Sequence, residues 1–290
     1  MELILPTLIN GLSLGGTYAM IALGYTMVYG IAKMLNFAHG DIIMVGGYVI
    51  YVCMAMGNPL VAVLAAVIGC VLLGITVEKA AYKPLRGASP LAVLITAIGV
   101  SYLLQSLAQI IFGSANKMVM IYDFGTAKLF NVTVQVSSLI TLAISVVVMV
   151  VLTLFIKYTK LGRAMIAVSE DKGAAQLMGV NVNGIISLTF AIGSSLAALA
   201  GFFYLLKSPS ISSTLGAMPG IKAFTAAVIG GIGSIPGAML GGIFLGLVES
   251  ISYKITAIAP YTDAIEFAIL IVILLVRPNG FLGKKRREKV

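Results

Sequence analysis

The chain has 290 residues, 60% of them hydrophobic and only 10% charged, with a formal net charge of +9 and a mean hydropathy of +1.08. A water-soluble domain of this composition would expose apolar patches far larger than a soluble protein carries, so the soluble fold classes are excluded. The basic residues fall in three clusters (Lys79, Lys83, Arg86; Lys157, Lys160, Arg163, Lys172; Lys284, Lys285, Arg286, Arg287, Lys289), a pattern that fits the basic side of a multi-pass membrane protein rather than a nucleic-acid surface.

The opening MELILPTLINGLSLGG has no basic region ahead of its apolar run, and its only early charge is Glu2; it reads as a retained span, not a cleaved signal. The apolar stretches are continuous rather than alternating, which predicts helices and not a barrel, since in lipid each backbone amide must find its partner within its own segment. In chain order the expected spans are Pro6–Tyr29, Gly40–Met56, Pro59–Val77, Leu91–Phe112, Val136–Ile156, Ile185–Leu206, Met218–Ile229, Ala238–Ile251 and Tyr261–Val276. Met218–Ile229 is about 18 Å long at 1.5 Å per residue, too short for a full lipid-facing span, and reads as a broken or re-entrant helix within a broken-helix region over residues 218–251. Counting it as a crossing gives nine spans, with the N-terminus outside and the C-terminus inside; otherwise there are eight. The expected fold is thus all-α: one transmembrane domain over residues 1–290, a polytopic bundle of eight to nine spans, with a mixed polar loop outside at 113–135 and a cytoplasmic segment at 157–183. Cys53 and Cys70 lie in apolar surroundings and read as small core residues.

No phosphate loop of the form G-x-x-x-x-G-K-[ST] occurs, and no G-x-G-x-x-G follows a strand. With a single histidine and no nucleophile–base–acid set, no catalytic or metal-ligating residues are expected. Asn36, His39 and Asp41 stand together at a membrane boundary in LNFAHGD, where they either cap the second span or serve a path or gate. Gln105 and Gln109 share a helix face and predict interhelical hydrogen bonds. The run GGIGSIPG places Gly230, Gly231, Gly233, Ser234 and Pro236 at a helix break, which serves either close packing or a polar path lined by freed backbone groups. Lys222 is expected to snorkel at a membrane edge, and Glu249, five residues before Lys254, to sit at an interface.

GRAMIAVSEDKGAAQLMGVN, residues 162–181, is the polar exception in the chain. Glu170 and Asp171 open a short helix, Ala174, Ala175, Leu177 and Met178 give it an apolar side, and Gly179 suits its stop. A helix lying on lipid headgroups would carry a basic tip; this acidic tip favours a protein partner.

Three blocks, GTYAMIALGYTMVYGIAKMLNFAHGDIIMVGGYV, GRAMIAVSEDKGAAQLMGVN and MPGIKAFTAAVIGGIGSIPGAMLGGIFLG, together resemble the bacterial branched-chain amino-acid ABC transporter permeases of LivH type over nearly the whole chain. The resemblance implies a type II-like importer core in the bacterial inner membrane with the C-terminus in the cytoplasm. It implies pairing with a homologous LivM-type permease, two cytoplasmic ATPase subunits that bind ATP and Mg (this chain binding no cofactor), and a periplasmic or lipid-anchored binding protein that delivers leucine, isoleucine or valine. It makes Gly162, Arg163, Glu170, Asp171, Lys172, Ala174 and Gly179 the coupling segment for the ATPase, and places NFAHGD and GGIGSIPG near the translocation path. A sister permease for urea or short amides shares these blocks, and a stand-alone secondary transporter is the alternative outside the family.

Overall fold

The computed structural model describes residues 4–55, 57–119, 121, 124–129 and 132–283. Met56, where the second span was expected to end, Asp123 of the polar loop, Glu2, and the basic cluster from Lys284 to Lys289 lie outside these residues.

Eleven α-helices are present among the described residues: α1 (Ile4–Ala32), α2 (His39–Met54), α3 (Pro59–Val77), α4 (Pro90–Phe112), α5 (Val136–Tyr158), α6 (Lys160–Glu170), α7 (Lys172–Leu177), α8 (Val182–Lys207), α9 (Ala217–Gly230), α10 (Ile235–Lys254) and α11 (Thr262–Val276). Several start where the sequence writes a cap followed by proline. Asn58 accepts the Leu60 amide ahead of Pro59, Ser89 the Ala92 amide ahead of Pro90, and Ser234 the Gly237 amide ahead of Pro236. In each case the side chain satisfies an amide that the helix cannot, and proline occupies a position whose N–H would be unused. Pro236 therefore opens α10 instead of interrupting a helix.

Seven helices are long and apolar enough to cross a bilayer, fewer than the eight or nine counted from hydropathy. The difference is two short apolar helices, α2 with 16 residues and α9 with 14, about 24 and 21 Å long against a hydrocarbon core of about 30 Å. The sequence marks α9 as short; the expected span Gly40–Met56 is itself only 17 residues, at the lower limit of a crossing, and the helix is 16.

α1 runs through the middle of the bundle and is buried over most of its length. It lies antiparallel to α10, with Gly11 facing Leu247 and Ser250, and Gly15 facing Gly242, Ile243 and Gly246. A Cβ on Gly246 would fall on the backbone of Gly15, so the two helices meet main chain to main chain, the approach that small residues four apart permit. The contact continues to Gly233, which lies on Gly30 in the last turns of α1.

The two ends of the bundle differ. At one end sit α6 and α7, the last turn of α1, the turn after α9 and residues 279–283; here the Phe281 and Leu282 amides donate to the Ile229 and Gly230 carbonyls. Arg86 reaches the same end through Asn183, so two of the three basic clusters share it. The opposite end carries what little strand there is among the described residues: the pair Lys117–Met118 with Ser210–Ile211, and the hairpin Thr126–Leu129 with Val132–Gln135. The strands were not anticipated in the 113–135 loop; polar residues and glycines hid a short alternation.

Past Val77, α3 continues as a π-turn over Glu78–Tyr82 and a 3-10 turn over Lys83–Leu85. Pro84 supplies no N–H to the turn before it, and the widened helix aims two side chains inward. Glu78, fully buried, pairs with Arg86 and accepts the Ser187 hydroxyl at 2.6 Å; Tyr82 donates to Asn36 at 2.7 Å.

Candidate translocation and coupling site

The two short helices begin against each other inside the bundle. Gly40, in the first turn of α2, packs on Gly216 and Gly220 at the start of α9, so closely that a Cβ on Gly216 would overlap the Gly40 carbonyl. Two helix N-termini, each a positive dipole end, thus converge within the protein, with the His39 and Asp41 amides donating to the Asn36 and Ala38 carbonyls and the Ala217 amide to the Thr214 carbonyl.

Asn36, His39 and Asp41 are brought together here and are all buried. They do not cap α2: its N-cap is Ala38, with no side-chain bond. Asn36 instead accepts from Tyr82, and Asp41 accepts from Gln105 on α4 at 2.9 Å, which ties α2 to its neighbours. His39 packs edge-on to Tyr25 with ring centroids 4.7 Å apart, and its Nε2 lies against Gly24. Among the described residues, Asn36 Nδ2 and His39 Nε2 are buried without a hydrogen-bond partner. Gln109 donates to Ser213 at 3.0 Å, so both glutamines make the bonds between segments that their spacing predicted.

The second candidate set is packed rather than open. Gly230 abuts the backbone of Gly237, and a Cβ on Gly231 would strike Gly283. Gly231 has φ +105°, which favours glycine, and the Gly231 carbonyl accepts the Ser234 amide to close the turn. The carbonyls that a break would free at Ile229 and Gly230 are taken by residues 281 and 282, not turned toward a polar path. Gly233, Ser234 and Pro236 lie at the surface of the α6–α7 end. The two sets are joined by α1, which touches the first at Gly24 and the second at Gly30, about 9 Å further along the helix.

The polar segment is built as two capped helices. Thr159 accepts the Gly162 amide at 2.9 Å to start α6, Asp171 accepts the Ala174 amide at 3.0 Å to start α7, and Asn181 accepts the Gly184 amide at 3.0 Å to start α8. α6 buries Gly162, Met165 and Val168, with Gly162 pressed on the backbone at the end of α5. Gly179, at φ +82°, turns the chain back toward α8. Arg163, Glu170, Asp171 and Ala174 face outward. Lys172 does not: its ammonium turns inward and donates to the Ala32 carbonyl at 2.9 Å, joining α7 to the end of α1. Partial burial, and then the Arg86 charge, hold the Lys172 ammonium below the ordinary lysine pKa.

Leu177 and Met178 complete the outer tip at 90% and 83% exposure. They were read as the apolar side of a helix, yet Ala175 is the residue that faces in. The distinguishing signal was position: Gly179 ends the helix directly after them, where no neighbouring turn can cover them.

A charged cluster that the sequence did not anticipate lies on α9, α10 and α11. Lys222 is buried, not snorkelling, and its ammonium sits 3.2 Å from Glu249, 2.8 Å from Asp263 and 3.3 Å from Glu266. Glu249 is also buried and accepts the Tyr18 hydroxyl at 2.7 Å. The partners were invisible to hydropathy because they stand 27, 41 and 44 residues from Lys222.

Residues 7–274 match the family described as the branched-chain amino acid transport system permease component. The chain is 42% identical to the high-affinity branched-chain amino acid transport permease BraD of Pseudomonas aeruginosa, over 99% of this chain and 98% of that protein. It is 40% identical to LivH of Escherichia coli K12, over 99% and 97%. Among solved structures, an ABC transporter of metal-chelate type in an inward-facing conformation aligns with a TM-score of 0.54 and 17% identity, covering 95% of this chain and 88% of that one, which speaks to the fold alone. A bundle of long apolar helices with a capped polar elbow at one end and paired short helices inside it, matched end to end by these relatives, belongs to the family of branched-chain amino-acid permease components of ABC transporters.

Proposed function

We propose that this chain forms one half of the membrane pathway of an ATP-driven importer for leucine, isoleucine and valine in the bacterial inner membrane. The observation that carries the reading is the full-length similarity to BraD and LivH. The end bearing α6 and α7 is the cytoplasmic one, where two of the three basic clusters gather, and Gly283, the last described residue, lies at it. A LivM-type permease is the partner in the membrane, two ATPases dock from the cytoplasm and carry ATP and Mg, and a binding protein meets the opposite end.

A zwitterion with an aliphatic side chain needs a dipole for its carboxylate and apolar walls. The converging N-termini of α2 and α9 offer the first. The face of α9 bearing exposed Met218 and Ile221, with the Phe224 ring tilted against Phe37 at 5.4 Å between centroids, offers the second. The outward tip of α6–α7 docks into the ATPase, with Leu177 and Met178 as anchors and Glu170 at the acidic rim. Movement there reaches α5 through Gly162, α8 through Asn181 and α1 through Lys172, and α1 carries it to His39 and the meeting of the short helices. Alternation between two packings, biased by nucleotide binding in the partners, moves the substrate.

The complex reconstituted in liposomes with ATP is expected to accumulate labelled leucine and not labelled urea; urea uptake without leucine uptake would overturn the substrate assignment. Leu177→Asp together with Met178→Asp is expected to lower ATP-dependent uptake by on the order of tenfold or more while insertion is unchanged, because exposed apolar anchors at an interface carry most of its energy. Uptake equal to the parent's would remove the tip from the interface.

A further inference from the structure

Four acids are buried among the described residues: Asp41, Glu78, Glu249 and Glu266. Three of them have a cation within ion-pair distance. Glu78 pairs with Arg86, and Glu249 and Glu266 share Lys222. Asp41 has none among the described residues. Its side chain accepts the Gln105 amide at 2.9 Å, a donor that also reaches the Ser101 hydroxyl at 3.2 Å. That bond does not need a charge: an amide side chain at position 41 would accept it equally well. A neutral donor and the partial charge of a helix start offset less than a full opposite charge does, so a carboxylate enclosed here, at 2% exposure, is short of a cation. An acid that a membrane protein keeps inside its bundle at that cost marks a functional position.

The position adds a direction. Asp41 stands in the first turn of α2, whereas α9, which starts against it, has no acid in its first turn. The Asp41 amide nitrogen is 3.2 Å from where a Cβ on Gly216 would stand, so the two helix starts adjoin. Their meeting point is therefore bipolar, with a carboxyl group on the α2 side and a positive dipole end on the α9 side. Aromatic groups flank it: the Phe224 ring packs on Tyr25 at 5.9 Å between centroids and on Phe37 at 5.4 Å. The Tyr25 hydroxyl lies 3.4 Å from where a Cβ on Gly220 would be, which puts this wall beside the α2–α9 contact.

We propose that Asp41 is the anchor for the ammonium group of the transported amino acid, which lies between α2 and α9 with its ammonium on Asp41 and its carboxylate at the start of α9. The proposal rests on the amino-acid reading given above and adds the residue that tells amino acids from neutral amides. Urea or a short amide brings no cation and leaves Asp41 unpaired; an α-amino acid brings the one charge that the interior lacks. In the packing described here Gly40 and Gly216 touch, so the site is closed. It opens when α2 and α9 part, and the incoming ammonium joins the Gln105 amide at Asp41.

The test is ATP-driven leucine uptake by the full complex in liposomes, with the parent chain, Asp41→Asn and Asp41→Glu. Asp41→Asn keeps an oxygen for Gln105 and removes the charge. It is expected to assemble as the parent does and to lower the maximum rate of uptake by on the order of tenfold or more, the scale for removing one partner of a buried charge pair. Asp41→Glu is expected to retain more of the rate than Asp41→Asn. Solid-state NMR of the parent complex holding leucine labelled with nitrogen-15, with carbon-13 in the aspartates of the permease, is expected to show the leucine nitrogen next to an aspartate carboxyl carbon. Uptake by Asp41→Asn equal to the parent's overturns the proposal and leaves the amino-acid reading standing. So does leucine bound to the parent without that contact, which decides the matter if Asp41→Asn fails to assemble. So does a parent, but not an Asp41→Asn variant, that sodium stabilises over potassium without leucine, which would give the site to a metal cation. A parent complex that moves no leucine at all defeats the substrate reading itself, and the proposal with it.

Discussion

Gly246→Leu is expected to leave no protein that elutes as a single species after detergent extraction. The new side chain would meet the amide nitrogen and Cα of Gly15, and beyond them the Gly11 carbonyl, all of them main chain within a helix. A clash with a flexible side chain can relax by a change of rotamer, at a cost of about 1–3 kcal/mol. Here no rotamer relieves it, so α1 and α10 must separate along the contact that holds the centre of the bundle. Gly99→Leu is the matched control, since a Cβ there meets nothing within 4 Å. Size-exclusion profiles of the two variants give the comparison. A parent-like profile for Gly246→Leu would show that α1 and α10 are not in this register.

Lys222→Met carries the other large effect. The substitution removes the one cation that Glu249 and Glu266 share inside the bundle, and breaking a buried ion pair from one side costs about 3–5 kcal/mol. A marked fall in melting temperature is expected. Removing the opposite charge as well, in Lys222→Met with Glu249→Met, is expected to recover much of the loss, because an apolar replacement of both partners leaves one fewer buried charge unpaired. Equal melting of Lys222→Met and the parent would mean that the ammonium is solvated rather than enclosed. The two experiments probe separate parts of the molecule: the first tests backbone approach between α1 and α10, the second the attachment of α9 and α11.

The polar elbow of α6 and α7 was legible because its signals are local. Capping residues act on amides three positions away, an acid at a helix start acts within one turn, and a glycine stop acts on its own φ. Asp171 caps the short helix it was expected to open and Gly179 turns the chain where the stop was expected, while Glu170 closes α6 instead of opening α7. The inward turn of Lys172 has no such local signal, because its acceptor, the Ala32 carbonyl, is 140 residues away. The same distance problem explains GGIGSIPG. Its glycines do make a turn and its proline opens α10, but the groups that cover the turn come from residues 279–283, and a sequence window around Gly231 contains none of them.

Composition and hydropathy settled on their own that this is a helical membrane protein, since lipid offers backbone amides no other partner, and three blocks of sequence carry the resemblance to the permease family. Tertiary structure alone decided that the N-terminus of α2 meets that of α9, and that Lys222 gathers three acids from two other helices. Those outcomes depend on which helices become neighbours, and a hydrophobic stretch reports only that a segment will be buried in lipid or protein, not the side chain it will find there.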